Sequence, residues 1–146
     1  QGKAVGGGVG LAAATDYCMA TTHSEIKLSE LTIGIGPFVI EPAVTRKMGL
    51  SAMSQLSLES SRFFSAQWAQ EKGLFMKVCP SIGALDTEVK LLAEQLCAYN
   101  PEALQKLKET FWEGTEHWSK LLQERAAISG RLVLSNFTKT QLKTYK

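Results

Sequence analysis

Glycine is distributed unevenly along this chain of 146 residues, and this asymmetry constrains the fold more than any other feature. Eight of the twelve glycines fall within the first 49 residues, at positions 2, 6, 7, 8, 10, 34, 36 and 49. Glycine adopts backbone conformations that other residues avoid, and it costs about 1 kcal/mol in the middle of a helix. We therefore expect a first region of turns, short helices and strands, followed by a second region built of helices.

The first region carries signals for short elements. Small apolar residues from Gly8 to Ala14 predict a tightly packed helix after a glycine turn. β-Branched and aromatic residues predict short strands at 16–20, 25–28 and 75–79. The glycines and the proline of Gly34–Pro37 predict a loop.

The helices are marked by their ends. One helix is expected to begin at Glu41 and to end at Gly49 in a left-handed cap. Ser51, Ser65 and Asn100 are each expected to be the N-cap of a later helix. Beyond residue 80, apolar residues recur at helical spacing in three stripes: Leu85, Val89, Leu92, Ala93 and Leu96; Leu104, Leu107 and Phe111; Trp118, Leu121, Leu122 and Ile128.

Composition and charge argue against several classes of function. Sixteen Lys and Arg against fourteen Asp and Glu give a net charge of +2, and no basic stripe indicates a nucleic-acid partner. The three cysteines lie far apart, which fits neither a disulfide framework nor a zinc site. We interpret them as buried thiols in a reducing compartment and expect a cytoplasmic protein. With two histidines and no apolar run of about 18 residues, neither a metal centre nor a membrane span is expected.

The cluster Gly6-Gly7-Gly8, directly before the first predicted helix, is the first feature with chemical content. Glycines let a ligand approach the backbone closely, and free N–H groups at a helix start attract negative charge. The nucleotide-binding motifs fail, because Leu11 stands where G-x-G-x-x-G needs glycine and Val9 stands where a phosphate-binding loop needs lysine. Two interpretations remain, namely an oxyanion site and a glycine turn that serves packing alone.

Two carboxylates are candidates for acid/base chemistry. Glu30 lies among apolar residues beside a glycine loop, where partial desolvation would raise its pKa towards the range of a general base. The alternative is a solvated glutamate on an edge strand. Glu41 stands at a helix start, where the helix dipole alone favours an acidic residue.

Three segments, taken together, carry a resemblance to a known family. Gly2–Asp16, Leu28–Pro37 and Ser65–Leu74 resemble, in this order, the crotonase family of enoyl-CoA hydratases and isomerases. The resemblance implies an α/β fold with the last ββα turns of a crotonase-type spiral in residues 1–80. A mainly helical C-terminal trimerisation region, residues 81–146, would follow. Because family members are longer, we expect this chain to be the C-terminal half, with the N-terminal half missing.

The resemblance also implies a site. Its substrate is an acyl-CoA, with no separate cofactor, and two backbone N–H groups stabilise a thioester enolate. By position, Gly7 supplies one of these donors, the missing half supplies the other, and Glu30 is the acid/base. Hydratases of the family place a first glutamate three residues after the donor glycine, where this chain has Gly10. Glu41 is therefore a candidate second acid, and Phe38 a candidate wall of an apolar acyl pocket.

The C-terminal helices have an expected role in assembly. The resemblance implies a homotrimer or a dimer of trimers, in which the last helix of one subunit contacts the CoA of its neighbour. Arg131, Phe137 and Lys139 are the candidates for that contact, and the alternative is a solvated helix face.

Four functions stay open at this point. The first is an enoyl-CoA hydratase. The second is an enoyl-CoA isomerase, favoured by Gly10 because one base is enough to move a proton between carbons. The third is a non-catalytic acyl-CoA-binding protein on the same fold, and the fourth is an oligomerisation segment without a ligand.

Overall fold

The computed structural model describes residues 1–144. Within them the chain forms a mixed α/β structure in which helices predominate, as expected. Its elements in chain order are β1 (Lys3–Val5), α1 (Gly7–Ala13), β2 (Met19–Thr21), β3 (Glu25–Lys27), a 3₁₀ helix (Glu30–Ile33), α2 (Glu41–Met48), α3 (Leu50–Leu58), β4 (Phe64–Ser65), α4 (Ala66–Glu71), β5 (Lys77–Cys79), α5 (Ile82–Ala98), α6 (Pro101–Phe111), α7 (Trp118–Val133) and α8 (Asn136–Thr144).

The strands form two small sheets. In the first, β3 lies between β1 and β4; β1 pairs parallel to β3 with Lys3 opposite Glu25, and β4 pairs antiparallel to β3. In the second, β2 and β5 pair in parallel. Parallel strands need a crossover connection, and α1 lies in the connection between β1 and β3. This connection brings the glycine turn before α1 close to the residues that follow β3.

The hydrophobic core lies between the sheets and helices α1–α4. Its most deeply buried side chains come from strands, helices and the connections between them: Val9, Ile26, Leu28, Val44, Leu56, Phe64 and Leu74. Beyond residue 80, helices α5–α8 are mostly half-buried or exposed, apart from buried Leu85 and Thr138. The division of the chain at residue 80 into two regions stays a prediction.

The prediction of three buried thiols was wrong in part, because Cys79 is buried but Cys18 is half-buried and Cys97 is exposed. Most predicted element ends agree with the structure, and two of them were wrong. Ser65 Oγ accepts a hydrogen bond from Trp68 N, and Asn100 Oδ1 accepts one from Glu102 N, so both are N-caps. Ser51 is not an N-cap, because α3 already begins at Leu50. Gly49 has a positive φ of 81°, but its ψ of 160° places it outside the left-handed helical region. Glycine is needed there because the chain turns directly from α2 into α3.

The last helices fold back onto residues 30–41. Helix α8 packs on the 3₁₀ helix at Gly34, whose missing side chain leaves room for Phe137 and Thr138. A Cβ atom on Gly34 would lie 2.4 Å from the Phe137 ring. Arg125 of α7 reaches Phe38 and Glu41. The helical region therefore covers the segment that carries the candidate carboxylates.

Candidate active site

The glycine turn before α1 presents free backbone donors. Gly6 has a positive φ of 53°, and its N–H donates to Lys27 O at 2.9 Å, which ties the turn to the end of β3. Gly6 O accepts from the N–H groups of Val9 and Gly10. The Gly7 N–H makes no hydrogen bond within residues 1–144, as is usual in the first turn of a helix. The turn can therefore donate to a ligand oxygen.

Glu30 lies directly against this turn. The residue opens the 3₁₀ helix that follows β3, so it does not lie on a strand. Its Oε1 atom would be 2.9 Å from a Cβ atom on Gly6. Glycine is required at position 6 for two reasons, the positive φ and the space that the Glu30 carboxyl occupies.

The Glu30 carboxyl is poorly solvated. Its Oε2 atom is buried and has no hydrogen-bond partner among the described residues. Burial raises the pKa of Glu30 above its ordinary value of 4.5, and a hydrogen bond from its own backbone N–H offsets only part of this effect. A carboxyl of raised pKa is suited to accept and return a proton near neutral pH.

A small pocket of about 140 Å³ opens at Glu30. It is lined mainly by the turn after the 3₁₀ helix, together with one residue of α7: Glu30, Ile35, Gly36, Pro37, Phe38, Val39, Ile40 and Ser129. Among residues 1–144, Glu30 and Ser129 contribute the only polar side chains of this lining, and Glu30 is its one titratable group. The acid/base chemistry available here rests on a single carboxyl.

Gly10 explains why no second carboxyl reaches this site from α1. A Cβ atom at position 10 would lie 2.4 Å from Ile40 Cγ2 and 2.7 Å from Ile40 Cβ. Real Cβ atoms do not approach this closely, so any side chain at position 10 would displace the 38–40 turn. The place expected for a first glutamate is thus filled by an apolar side chain.

The structure places Glu41 outside the Glu30 pocket. Its Oε2 atom pairs with Arg125 Nη1, and its Oε1 atom accepts a hydrogen bond from Thr45 Oγ1 at 2.6 Å. Both Glu41 oxygens thus have partners within the chain. Glu41 instead lines two neighbouring grooves, one of which shares Gly36, Pro37 and Phe38 with the Glu30 pocket. The role of second acid stays a prediction, and the geometry does not bring Glu41 and Glu30 into one pocket.

Phe38 lies between two cavities. It lines the Glu30 pocket and also a groove of about 340 Å³ whose other lining residues include Leu31, Leu50 and Met53. Its ring lies over Gly36, where a Cβ atom would be 2.5 Å from the ring. Phe38 therefore forms part of the wall of an apolar pocket. Its contact with an acyl group stays a prediction.

The three residues predicted to contact CoA lie on the C-terminal helices. Arg131 and Lys139 are exposed on α7 and α8, and Phe137 is 59% exposed although its ring touches Gly34. None of them lines the Glu30 pocket. Their contact with CoA stays a prediction.

Sequence reasoning missed Arg125 and Ser129. Arg125 pairs with Glu41, and Ser129 lines the Glu30 pocket. A signal was present, because Arg125 falls three or four residues from Leu121, Leu122 and Ile128 and so interrupts the apolar stripe of its helix. A charged residue on the packed face of a helix indicates a partner.

No group of three or more His, Cys, Asp and Glu side chains in residues 1–144 is placed to hold a metal ion. Over the same residues, no helix combines the length and the apolar character needed to cross a membrane.

Comparison with known proteins gives a consistent result. The family model described as "Enoyl-CoA hydratase/isomerase" matches residues 1–144. A putative enoyl-CoA hydratase of Thermus thermophilus is 32% identical over 109 residues, which cover 75% of this chain and 42% of that protein. The 2,3-dehydroadipyl-CoA hydratase of Escherichia coli is 33% identical over 117 residues, covering 80% of this chain and 45% of that protein.

A solved structure agrees with these sequence relatives. An enoyl-CoA hydratase from Mycobacterium avium superposes with a TM-score of 0.89 at 25% identity. The match covers 99% of this chain and 56% of that structure. The chain spans about half the length of the proteins that it matches.

Proposed function

The chain belongs to the enoyl-CoA hydratase/isomerase family, and from this premise we propose that it supplies the acid/base and one oxyanion donor of an acyl-CoA-processing site. Glu30 is the acid/base, and the Gly7 N–H is the donor. The second donor comes from outside the described residues. The proposed substrate is an enoyl-CoA thioester, as the names of the Thermus and Escherichia relatives suggest for those proteins.

The observation that carries this proposal is the position of one buried carboxyl beside one free backbone donor. Glu30 Oε2 lacks a partner, its carboxyl touches Gly6, and the next N–H along the chain belongs to Gly7. A thioester carbonyl at the Gly7 N–H would bring its α-carbon towards this carboxyl. The N–H stabilises negative charge that develops on the thioester oxygen, and the low solvent exposure strengthens that interaction.

In hydration, Glu30 transfers one proton. The carboxylate takes a proton from water as the water oxygen bonds to the β-carbon, and the double-bond electrons move to give the enolate. The carboxylic acid then returns a proton to the α-carbon, so that water is added across the double bond. Glu30 ends in its starting state.

A second reaction, double-bond migration, is favoured by the packing at Gly10. Ile40 fills the space where a second carboxyl would stand, and no second acid within residues 1–144 lines the pocket with Glu30. Glu30 would remove a proton from the α-carbon of a 3-enoyl thioester and return it to the γ-carbon. One carboxylate is enough for this transfer. The names of the relatives favour hydration, so hydration is the first reaction to assay.

The experiment follows both reactions in the natively expressed protein and in two variants. Glu30→Gln keeps the side-chain shape but removes the proton acceptor, so turnover should fall about 10²-fold or more. Gly7→Pro removes the proposed donor N–H at the first position of a helix, which tolerates proline, and kcat should fall on the order of 10²-fold.

Each variant has a matched control. Glu25→Gln removes a carboxylate of β3 that pairs with Lys3 at 3.0 Å and does not line the pocket. Gly7→Ala keeps the N–H and meets no atom within 4 Å. Both controls should retain activity. Unchanged turnover in Glu30→Gln would overturn the assignment of the acid/base.

A further inference from the structure

Arg125 makes the only polar link between α7 and α2 within residues 1–144. From the middle of α7, its Nη1 atom pairs with Glu41 Oε2 at the start of α2. The same Nη1 donates to Phe38 O at 3.3 Å. Thr45 Oγ1 holds the other oxygen of Glu41 at 2.6 Å. We call this set of contacts the Arg125 clamp.

The clamp holds both walls of the Glu30 pocket. One wall is the turn from Pro37 to Ile40, whose ends are tied by the contacts to Phe38 O and Glu41. The other wall is α7, which contributes Ser129. Ser129 lies four residues after Arg125, so both side chains project from the same face of the helix. The Ser129 hydroxyl also donates to Arg125 O at 3.5 Å, so anchoring Arg125 fixes the part of α7 that lines the pocket.

The burial of the clamp separates it from an ordinary surface ion pair. The Arg125 and Glu41 side chains are 28% and 26% exposed, whereas those of Arg62 and Glu59 are 62% and 40% exposed. Exposed pairs are screened by water and contribute little. A less exposed pair that also binds a backbone carbonyl constrains the position of the turn more strongly.

We propose that Arg125 is a positioning residue, which keeps the 37–41 turn and α7 closed around the Glu30 carboxyl. The inference rests on the proposed function of Glu30. Without the clamp, the turn and α7 separate, water reaches the carboxyl, and its desolvation is partly lost. The site then keeps its acid/base residue but loses the environment that suits it to proton transfer.

The test measures the titration of Glu30 directly, by ¹³C NMR of labelled glutamate carboxyls in the natively expressed protein. The Glu30 signal is the one that is absent from the spectrum of Glu30→Gln. In Arg125→Gln, the Glu30 pKa should fall by on the order of half a unit or more because water re-enters the pocket, although loss of the Arg125 cation by itself would raise it. Glu41→Gln removes the opposite charge of the same ion pair, so a fall in both variants reports the entry of water rather than the change in charge. The acid limb of the kcat/KM profile should move to lower pH by the same amount. Arg125→Lys keeps one charged donor and should give an intermediate shift.

The control is Arg62→Gln, which breaks the exposed pair with Glu59 at 2.8 Å and leaves the pocket lining untouched. It should leave the titration of Glu30 unchanged. An unchanged titration in folded Arg125→Gln would overturn the proposal, and Glu41→Gln and Arg125→Lys provide the same test if Arg125→Gln does not fold. Failure of the proposed function would give a different result, namely full activity in Glu30→Gln. The titration of Glu30 in the Arg125 variants would still test the clamp in that case.

Discussion

At the scale of single residues, the burial of the Glu30 carboxyl makes stability depend on pH. Its pKa is raised by desolvation in the folded chain, so the folded state favours the protonated form. The contribution of Glu30 to stability is therefore fully present below the ordinary value of 4.5, and it is lost as the pH rises through the raised folded value.

Glu30→Gln should consequently stabilise the fold at pH 8 and have little effect at pH 4, because glutamine stays neutral throughout. Urea denaturation of wild type and variant at the two pH values measures this difference. Glu25→Gln, which removes a carboxylate paired with Lys3, is the control and should show no such gain. Equal stability of Glu30→Gln and wild type at pH 8 would contradict the idea that burying the ionised Glu30 carboxylate destabilises the fold.

Alanine substitutions at two glycines of α1 should have opposite effects on the stability of the fold. Gly10→Ala would place a Cβ atom 2.4 Å from Ile40 Cγ2, and it should destabilise the fold by about 1–3 kcal/mol. Gly8→Ala meets only Ala4 Cβ at an ordinary 3.6 Å, and it should stabilise the fold by up to about 1 kcal/mol through helix propensity. Thermal and urea unfolding measure both. Stabilisation by both substitutions would show that the Ile40 contact gives way easily.

At the scale of elements, α6 is tied to the first region through Asp16. This carboxylate accepts hydrogen bonds from Lys108 Nζ at 2.6 Å and Trp112 Nε1 at 2.7 Å, and Arg46 stacks over the Trp112 ring. Burial is the largest single effect on the pKa of Asp16 and raises it. The hydrogen bonds from Lys108 and Trp112, together with the charges of Lys108 and Lys47, outweigh it and lower the pKa.

Asp16→Ala should loosen α6 while costing the whole fold only about 1 kcal/mol, because the contact is partly exposed. Amide hydrogen exchange should accelerate along 101–111 and stay unchanged along α3. Lys106→Gln is the matched control, since it breaks an ion pair with Glu109 inside α6. Uniform acceleration across the chain in Asp16→Ala would mean that the contact supports the whole fold rather than one helix.

At the scale of the whole molecule, the apolar face between α5 and α6 is open. Leu92, Leu96, Leu104, Leu107 and Phe111 line a groove of about 340 Å³ together with Tyr17. Leu107 and Phe111 are 47% and 46% exposed. Exposed apolar surface of this kind favours association, so we expect the 146-residue chain alone to self-associate or to bind a partner.

Light scattering coupled to size-exclusion chromatography checks this expectation. The mass should rise with concentration, and Leu107→Ser should weaken the association more than Leu134→Ser, which removes an exposed leucine outside the groove. A monomer at all concentrations, with a sharp two-state melt, would contradict it. A trimer is the assembly that the resemblance implies, and it stays a prediction.

The sequence by itself determined the family and most of the elements, although it indicated neither β4 nor the 3₁₀ helix. The glycine turn before α1, the strands near 19–21 and 25–27, the cap at Asn100 and the apolar stripes of the later helices follow from local propensity and periodicity, which act over a few residues. Glu30 was predictable as a desolvated carboxyl for the same reason, because its apolar neighbours stand beside it in the chain. The start of α3 was predicted wrongly, with Ser51 as the N-cap. Ser51 is a favourable cap residue, but the turn at Gly49 begins the helix at Leu50.

Tertiary structure alone decided which residues meet. Ile40 fills the space beside Gly10, Glu41 is neutralised by Arg125 from 84 positions along the chain, and Ser129 enters the Glu30 pocket. These contacts join segments whose separation in sequence carries no information about their distance in space. They depend on how helices pack, which is set by shape and burial over the whole fold. For this reason the burial of Glu30 could be predicted from the sequence, whereas the residues that surround its carboxyl could not.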